Sequence, residues 1–314
     1  MRRTKTNSLE EEMRENNMKT LIVGGTGLVG AETARLMASK GHEVTLMSRN
    51  PTSNPALLEF PHIAHDYIHD DISLETLNVF DWLVFSAGAD IRMLPEGESD
   101  ETFFMHANGI RVPYFFEQAA QSKISKAVYI GTFYPVVASQ NIETSAYVRS
   151  RYEADKALRA FSSPDFEIVC LDAPYIIGQF PGIEAPHLKG LTMYAAGKLE
   201  GVPLIAPAGG VNHISSLSVA EAVLGGFTHG EAGKAYLIGD ENLSWKEYLE
   251  LFCEAVGNPQ NLEVTTDAHP MLPDIILYAG RNTTVSYEPE NGELNYGRQR
   301  IKETIKNVVS SYLN

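Results

Sequence analysis

The chain has 314 residues, of which 44% are hydrophobic and 21% charged, with a formal net charge of −15. That length buries a large core as one big domain or two interleaved ones, and the composition is that of an ordinary folded protein. The acidic balance argues against nucleic acid and anionic membrane as partners, since both attract basic surface.

Residues 1–18 are polar and lack the apolar core of a signal peptide, so a disordered extension is expected there. No apolar run approaches a membrane span. The two cysteines, Cys170 in an apolar strand and Cys253 in an apolar helix, read as reduced core thiols, and a cytoplasmic setting is expected.

Thr20–Val23 is a short apolar run with β-branched residues. It leads into glycines 24, 25, 27 and 30 and then into Ala31–Met37, which has helical spacing. Strand, glycine turn and helix are the context of a dinucleotide-binding loop. Gly24, Thr26, Gly27, Leu28, Val29 and Gly30 are its candidate cofactor contacts. Their backbone must turn tightly, approach a pyrophosphate and present free N–H groups at a helix start. The second strand, 42–48, ends in Ser48 and Arg49 rather than the acid that bonds an NAD ribose. A guanidinium there suits a 2′-phosphate, which favours NADP(H) and leaves NAD(H) as the alternative.

Further strands are expected at 66–69, 81–89, 126–132 and 166–172, separated by helices at 100–122 and 145–161. This alternation indicates an α/β fold with a doubly wound, Rossmann-type parallel sheet over 19–177. The section 178–212 is irregular. Helices return at 217–228 and 244–256, with a strand at 235–239 and a last helix at 297–312. A returning segment near 211–240 rejoins the dinucleotide domain. Residues 178–210 and 241–314 then form a smaller, interleaved substrate-binding part.

The order of motifs resembles the extended short-chain dehydrogenase/reductase superfamily, in its NAD-dependent epimerase/dehydratase or dihydroflavonol-reductase-like branch. The residues carrying the resemblance are the Gly24-x-x-Gly27-x-x-Gly30 loop, Asp71-Ile72, Ser86-Ala87-Gly88, Asn108 and Tyr129–Thr132. Tyr147-x-x-Ser-Arg151, Pro174–Gly178 and Gly209–Ser215 complete it. It implies that Asp71 and Ile72 sit at the adenine and that Ser86, Ala87 and Gly88 line the middle of the cofactor. Asn108 joins the cofactor set. Pro174, Tyr175, Ile176 and Ile177 flank the nicotinamide, and Tyr175 and His213 border the substrate. Thr132 and Tyr147 take the catalytic positions. Pairing of two copies through the 100–122 helix is also implied, so a homodimer is expected.

The chemistry fits that constellation. Hydride transfer to a carbonyl leaves an alkoxide that must receive a proton. A phenol near pKa 10 is a poor base at neutral pH unless a cation favours its phenolate. On a helix, Tyr147 and Arg151 at i and i+4 share a face. The family places Lys where this chain has Arg151, which keeps its charge but relays no proton. A second frame, Tyr152 with Lys156, is about 140° around the helix and cannot face the same cofactor.

His62, His65 and His69 with Asp66, Asp70 and Asp71 match no common zinc spacing, and no metal is expected. Three functions follow for a small-molecule substrate. The first is an oxidoreductase moving hydride between NADP(H) and a carbonyl or secondary alcohol. The second is a nucleotide-sugar epimerase or dehydratase with retained NAD. The third is a non-catalytic NADP(H) sensor.

Overall fold

The computed structural model describes residues 17–313, so the polar extension expected at the start of the chain lies almost wholly outside the described residues. The first half carries β1 (Lys19–Val23), β2 (Glu43–Ser48), β3 (His62–Ala64), β4 (Trp82–Phe85), β5 (Lys126–Ile130) and β6 (Glu167–Asp172). Then come β7 (Tyr175–Ile177), β8 (Ala206–Pro207), β9 (Gly210–Ser215), β10 (Ala235–Leu237), β11 (Glu241–Ser244) and β12 (Val264–Thr265). The main helices are α1 (Leu28–Ser39), α2 (Arg111–Ala120), α3 (Ala146–Phe161), α4 (Pro186–Ala195), α5 (Ser216–Thr228), α6 (Trp245–Ala255) and α7 (Ile301–Leu313).

Seven strands form one sheet in the order β10-β6-β5-β4-β1-β2-β3, with every pairing parallel. This is the expected Rossmann-type architecture. Successive residues of each strand face opposite sides. Leu21, Phe85 and Tyr129 pack on one face against Phe115, Phe116 and Leu158 of α2 and α3. Ile22, Val84 and Val128 pack on the other against Ala31, Ala34, Val219 and Val223 of α1 and α5. Each such large side chain contributes about 1.5–3 kcal/mol by leaving water. Chain order reverses at β1, between β2 and β4, and open α/β sheets bind ligands beyond the carboxyl ends of the strands at such a switch point.

A third core joins α4, α6 and α7 through Leu188, Leu249, Phe252 and Ile305. It lies against a small sheet in which β9 pairs antiparallel with β11 and parallel with β7. β10 returns to the large sheet, whereas β9 belongs to the small one.

Three elements differ from the sequence expectation. The third strand is His62–Ala64, not 66–69. Residues 66–70 instead form a turn, in which the Asp66 carboxylate accepts from the Ile68 N–H and its carbonyl from the His69 and Asp70 N–H groups. Tyr67 and Ile68 are apolar because they are buried in the core beneath that turn, which imitates a strand in sequence. The long helix is not uniform: Asp100–Phe104 is α, Met105–Ile110 is a π segment, and α2 follows. The irregular section contains α4, which starts on Pro186, a residue suited to a first helical position.

Candidate active site

The glycine loop closes against its own helix. Gly24 has φ +82°, a conformation glycine adopts without strain, and its N–H donates to the Met47 carbonyl of β2 at 2.8 Å. A Cβ on Gly30 would lie 2.3 Å from the Gly24 oxygen, so only glycine lets α1 begin this close to the turn. Gly27 caps α1 without a side-chain bond, and its first turn holds no acidic residue. The N–H groups at that helix start therefore point, unshared, toward the switch point, where an anion fits. Thr26, Leu28 and Val29 are half-buried around them.

Beyond β2, the Ser48 hydroxyl donates to the Asn50 carbonyl and lies 2.8 Å from His62 Nε2. Arg49 is exposed. Its charge reaches Asp66, just past β3. Burial pushes the Asp66 carboxyl up, but bonds from His69 and the Ile68 N–H, with Arg49 adding, bring it below its usual range. Asp66, two residues beyond the edge strand β3, thus lies on the same side of the sheet edge as Arg49. Asp71 does not directly follow a strand. It pairs with Arg111 at 2.9 Å and is well exposed. The Ile72 side chain is buried in the main core, which leaves its backbone as the part that could meet an adenine. Among the described residues no group of three or more His, Cys, Asp or Glu is placed to hold a metal ion.

The loop after β4 leans on the glycine turn. The Ser86 hydroxyl donates to the Val23 carbonyl at 2.9 Å, and a Cβ on Gly24 would meet the Ala87 nitrogen at 2.7 Å. Asn108 is fully buried. Its amide accepts from the Ala89 N–H and donates to the Ala89 carbonyl, both at 3.0 Å, and reaches Ser150 of α3. It is a clamp on the 86–89 loop rather than a cofactor ligand, and the π segment is the turn that presents it.

Arg151 lies beneath this loop, 6% exposed. One guanidinium nitrogen donates to the Ile130 carbonyl at 2.8 Å, and the group sits 5.2 Å from the Tyr129 ring centre. A methyl on Gly88 would come within 2.4 Å of it. Nε has no partner among the described residues, and neither do the Tyr67 and Tyr129 hydroxyls nearby. Burial works against its charge, but the facing Tyr129, Tyr147 and Tyr67 phenols and Asp172 hold the guanidinium pKa above its ordinary value. Asp172, at the end of β6, carries a carboxyl driven well up by burial and by Asp155.

Thr132, Tyr147, Pro174, Tyr175 and Ile176 line one cleft of about 320 Å³ at the carboxyl edge. Tyr147 is half-buried, edge-on to Phe104 and stacked at 4.4 Å on Tyr278. Tyr278 belongs to a strap, residues 276–278. The Tyr134 and Tyr175 hydroxyls donate to the Ile276 carbonyl, and Asn141 bonds the Tyr278 carbonyl. Ile177 is buried in the third core and points away from this cleft. So does the second frame: Lys156 is exposed over the Tyr152 ring, and Tyr152 borders a separate pocket with Asp155 and Arg159.

His213 does not border the cleft. It is fully buried, stacked at 4.3 Å on Tyr248 and edge-on to Trp245 and Tyr175. Neither ring nitrogen has a well-formed hydrogen bond among the described residues, and burial, only weakly opposed by the Val211 backbone, pushes its pKa down to about 3. A polar letter inside a short strand looked like a site residue, but α6 covers it.

Residues 20–207 match the sequence model of the NAD dependent epimerase/dehydratase family. The chain belongs to that family. Its members are enzymes of the extended short-chain dehydrogenase type, and the glycine turn, bare helix start and Gly88–Arg151 contact fit a dinucleotide. Solved structures share the fold at low identity. A UDP-N-acetylglucosamine 4-epimerase from Methanobrevibacter ruminantium, in complex with UDP-N-acetylmuramic acid, is 12% identical with TM-score 0.75, over 95% of this chain and 99% of its own. A UDP-glucose 4-epimerase from Thermotoga maritima, with UDP-glucose, is 14% identical with TM-score 0.71, over 94% and 98%. The Bordetella bronchiseptica enzyme WbmH, in complex with NAD+, is 15% identical with TM-score 0.69, over 94% and 98%. No curated protein matches the chain in sequence.

Proposed function

We propose that the chain is an oxidoreductase of the extended short-chain dehydrogenase type, using NADP(H) in preference to NAD(H), that interconverts a carbonyl and a secondary alcohol. The observation that carries this reading is the joint placement of Thr132 and Tyr147 on one cleft, with the buried cation Arg151 four residues along α3. The bound dinucleotide supplies hydride. The N–H groups at the start of α1 hold its phosphates, and Arg49 receives the 2′-phosphate. Tyr147 Oη exchanges a proton with the substrate oxygen, and Thr132 donates a hydrogen bond to that same oxygen. Arg151 keeps positive charge beneath the reacting groups. With five N–H donors and one hydrogen bond, it has donors left for cofactor hydroxyls. Pro174 and Ile176 form an apolar wall that keeps water out.

A second reading, epimerase or dehydratase chemistry on retained NAD, is favoured by the family match and by Asp66, an acid whose charge is felt together with that of Arg49 beyond β2. Tyr147 serves both. Tyr147→Phe and Thr132→Val separate catalysis from binding. On the oxidoreductase reading each lowers kcat with the cofactor Kd unchanged, Tyr147→Phe by about 100-fold or more. Full activity in Tyr147→Phe contradicts it. Nucleotide carried through purification, with no net cofactor consumed on turnover, favours the second reading.

A further inference from the structure

We infer that the substrate of this cleft is a neutral small molecule bearing a flat apolar ring, not a nucleotide sugar, and that Tyr278 is the residue that selects it. This deepens the proposed function and rests on Tyr147 being the reacting group.

The first observation is charge. A sugar nucleotide brings a pyrophosphate, which free cationic side chains hold most strongly. Within the cleft Arg92 is the one permanent cation among the described residues, and it is already held by Asp90, with Nε 3.0 and 3.1 Å from the two carboxylate oxygens. Burial pushes the Asp90 carboxyl up, but the bond and charge of Arg92 outweigh it, so the pair stays ionised and cancels. His187 on the same wall is pushed down to about 4 by burial and is neutral at physiological pH. Flanking the strap, Arg281 is likewise bound to Asp274.

The second observation is shape. Phe133, Tyr134, Tyr147, Tyr175 and Tyr278 supply five aromatic rings to a cleft of about 320 Å³, the small end of ligand sites. Tyr278 lies parallel to Tyr147, 17° between planes, and its strap is tied down by bonds from Tyr134, Tyr175 and Asn141. A ring entering beside the Tyr147 hydroxyl therefore meets a fixed aromatic wall. Such contacts select flat apolar groups.

The test is calorimetric titration of the protein saturated with oxidised cofactor, which binds a ketone without turning it over. Acetophenone is expected to bind saturably, and UDP-glucose about tenfold more weakly or not at all. Tyr278→Ala is expected to weaken acetophenone about tenfold while leaving the cofactor Kd unchanged, and Tyr278→Phe to retain it. Asp90→Asn, which frees the Arg92 guanidinium, is expected to tighten UDP-glucose several-fold. UDP-glucose binding as tightly as acetophenone, no acetophenone binding, or an unchanged acetophenone Kd in Tyr278→Ala overturns the inference. Acetophenone that binds as described yet is never reduced with reduced cofactor leaves the inference standing and removes the redox reading.

Discussion

Alanine at Gly30 and at Gly27 probes the glycine loop in two separable ways. At Gly30 the new methyl would lie 2.3 Å from the Gly24 oxygen and 2.8 Å from the Gly24 carbon and Gly25 Cα. All three atoms are backbone, so no rotamer relieves the clash. The start of α1 must retreat by roughly 1 Å, against a helix whose Ala31, Ala34 and Met37 are buried. With only backbone atoms to yield, the clash sits at the upper end of the overpacking range, about 2–3 kcal/mol. Better helix propensity returns about 1 kcal/mol. The net loss lowers Tm by a few degrees, on the order of 2–6 °C. Displacing the helix N–H groups by about 1 Å weakens cofactor binding about 100-fold. At Gly27 the methyl meets only the Gly24 oxygen, at 3.4 Å, and φ is −83°, open to any residue. Stability then stays within about 0.5 kcal/mol. The methyl instead covers the exposed N–H groups, and affinity falls at least about tenfold. Thermal unfolding and the fluorescence of bound reduced nicotinamide measure both. Wild-type cofactor affinity in Gly27→Ala refutes the phosphate cradle. An unchanged Tm in Gly30→Ala refutes the helix–turn contact.

Arg151→Met replaces a buried cation that holds one hydrogen bond and no carboxylate. Removing an unpaired buried charge offsets the lost Ile130 bond, so the apoprotein is expected to be as stable as wild type or more so. Cofactor affinity falls about tenfold in the same variant, and a destabilised apoprotein with intact affinity contradicts Arg151's assigned role. His213 gives a pH signature. Its folded pKa of about 3 lies below the ordinary histidine value, so the unfolded chain takes the proton first. The stability from keeping it neutral is complete above about pH 6.5 and is lost as pH falls toward 3, at about 1.4 kcal/mol per pH unit. Urea midpoints should show wild type losing about 2 kcal/mol more than His213→Phe between pH 6.5 and 5. Parallel curves for the two proteins refute the assignment. His187, pushed down to about 4 by burial, titrates in the same direction.

Local chemistry was legible in the sequence and long-range assembly was not. The turn at Gly24–Gly30 was readable because strand, turn and helix are contiguous, and Tyr147 with Arg151 because one helix carries both. The sheet followed from the alternation of elements. Tyr278 escaped notice because the strap reaches Tyr147 from about 130 positions further along the chain, held by three bonds from distant residues. The Asp90–Arg92 pair gave no periodic signal either. Asp66 was hidden inside the false strand at 66–69, where buried Tyr67 and Ile68 supplied apolar letters for a different reason. Asn108 was read as a ligand, although its amide is fully engaged on Ala89 and Ser150.

The most direct test is a binding titration of the purified protein with NADPH and with NADH, after extracted nucleotide has been identified. Empty protein is expected to bind NADPH tightly and NADH at least about tenfold more weakly, with the difference abolished in Arg49→Ala. Copurified NAD, or an NADH preference that survives Arg49→Ala, contradicts Arg49 as the 2′-phosphate reader and puts epimerase chemistry first.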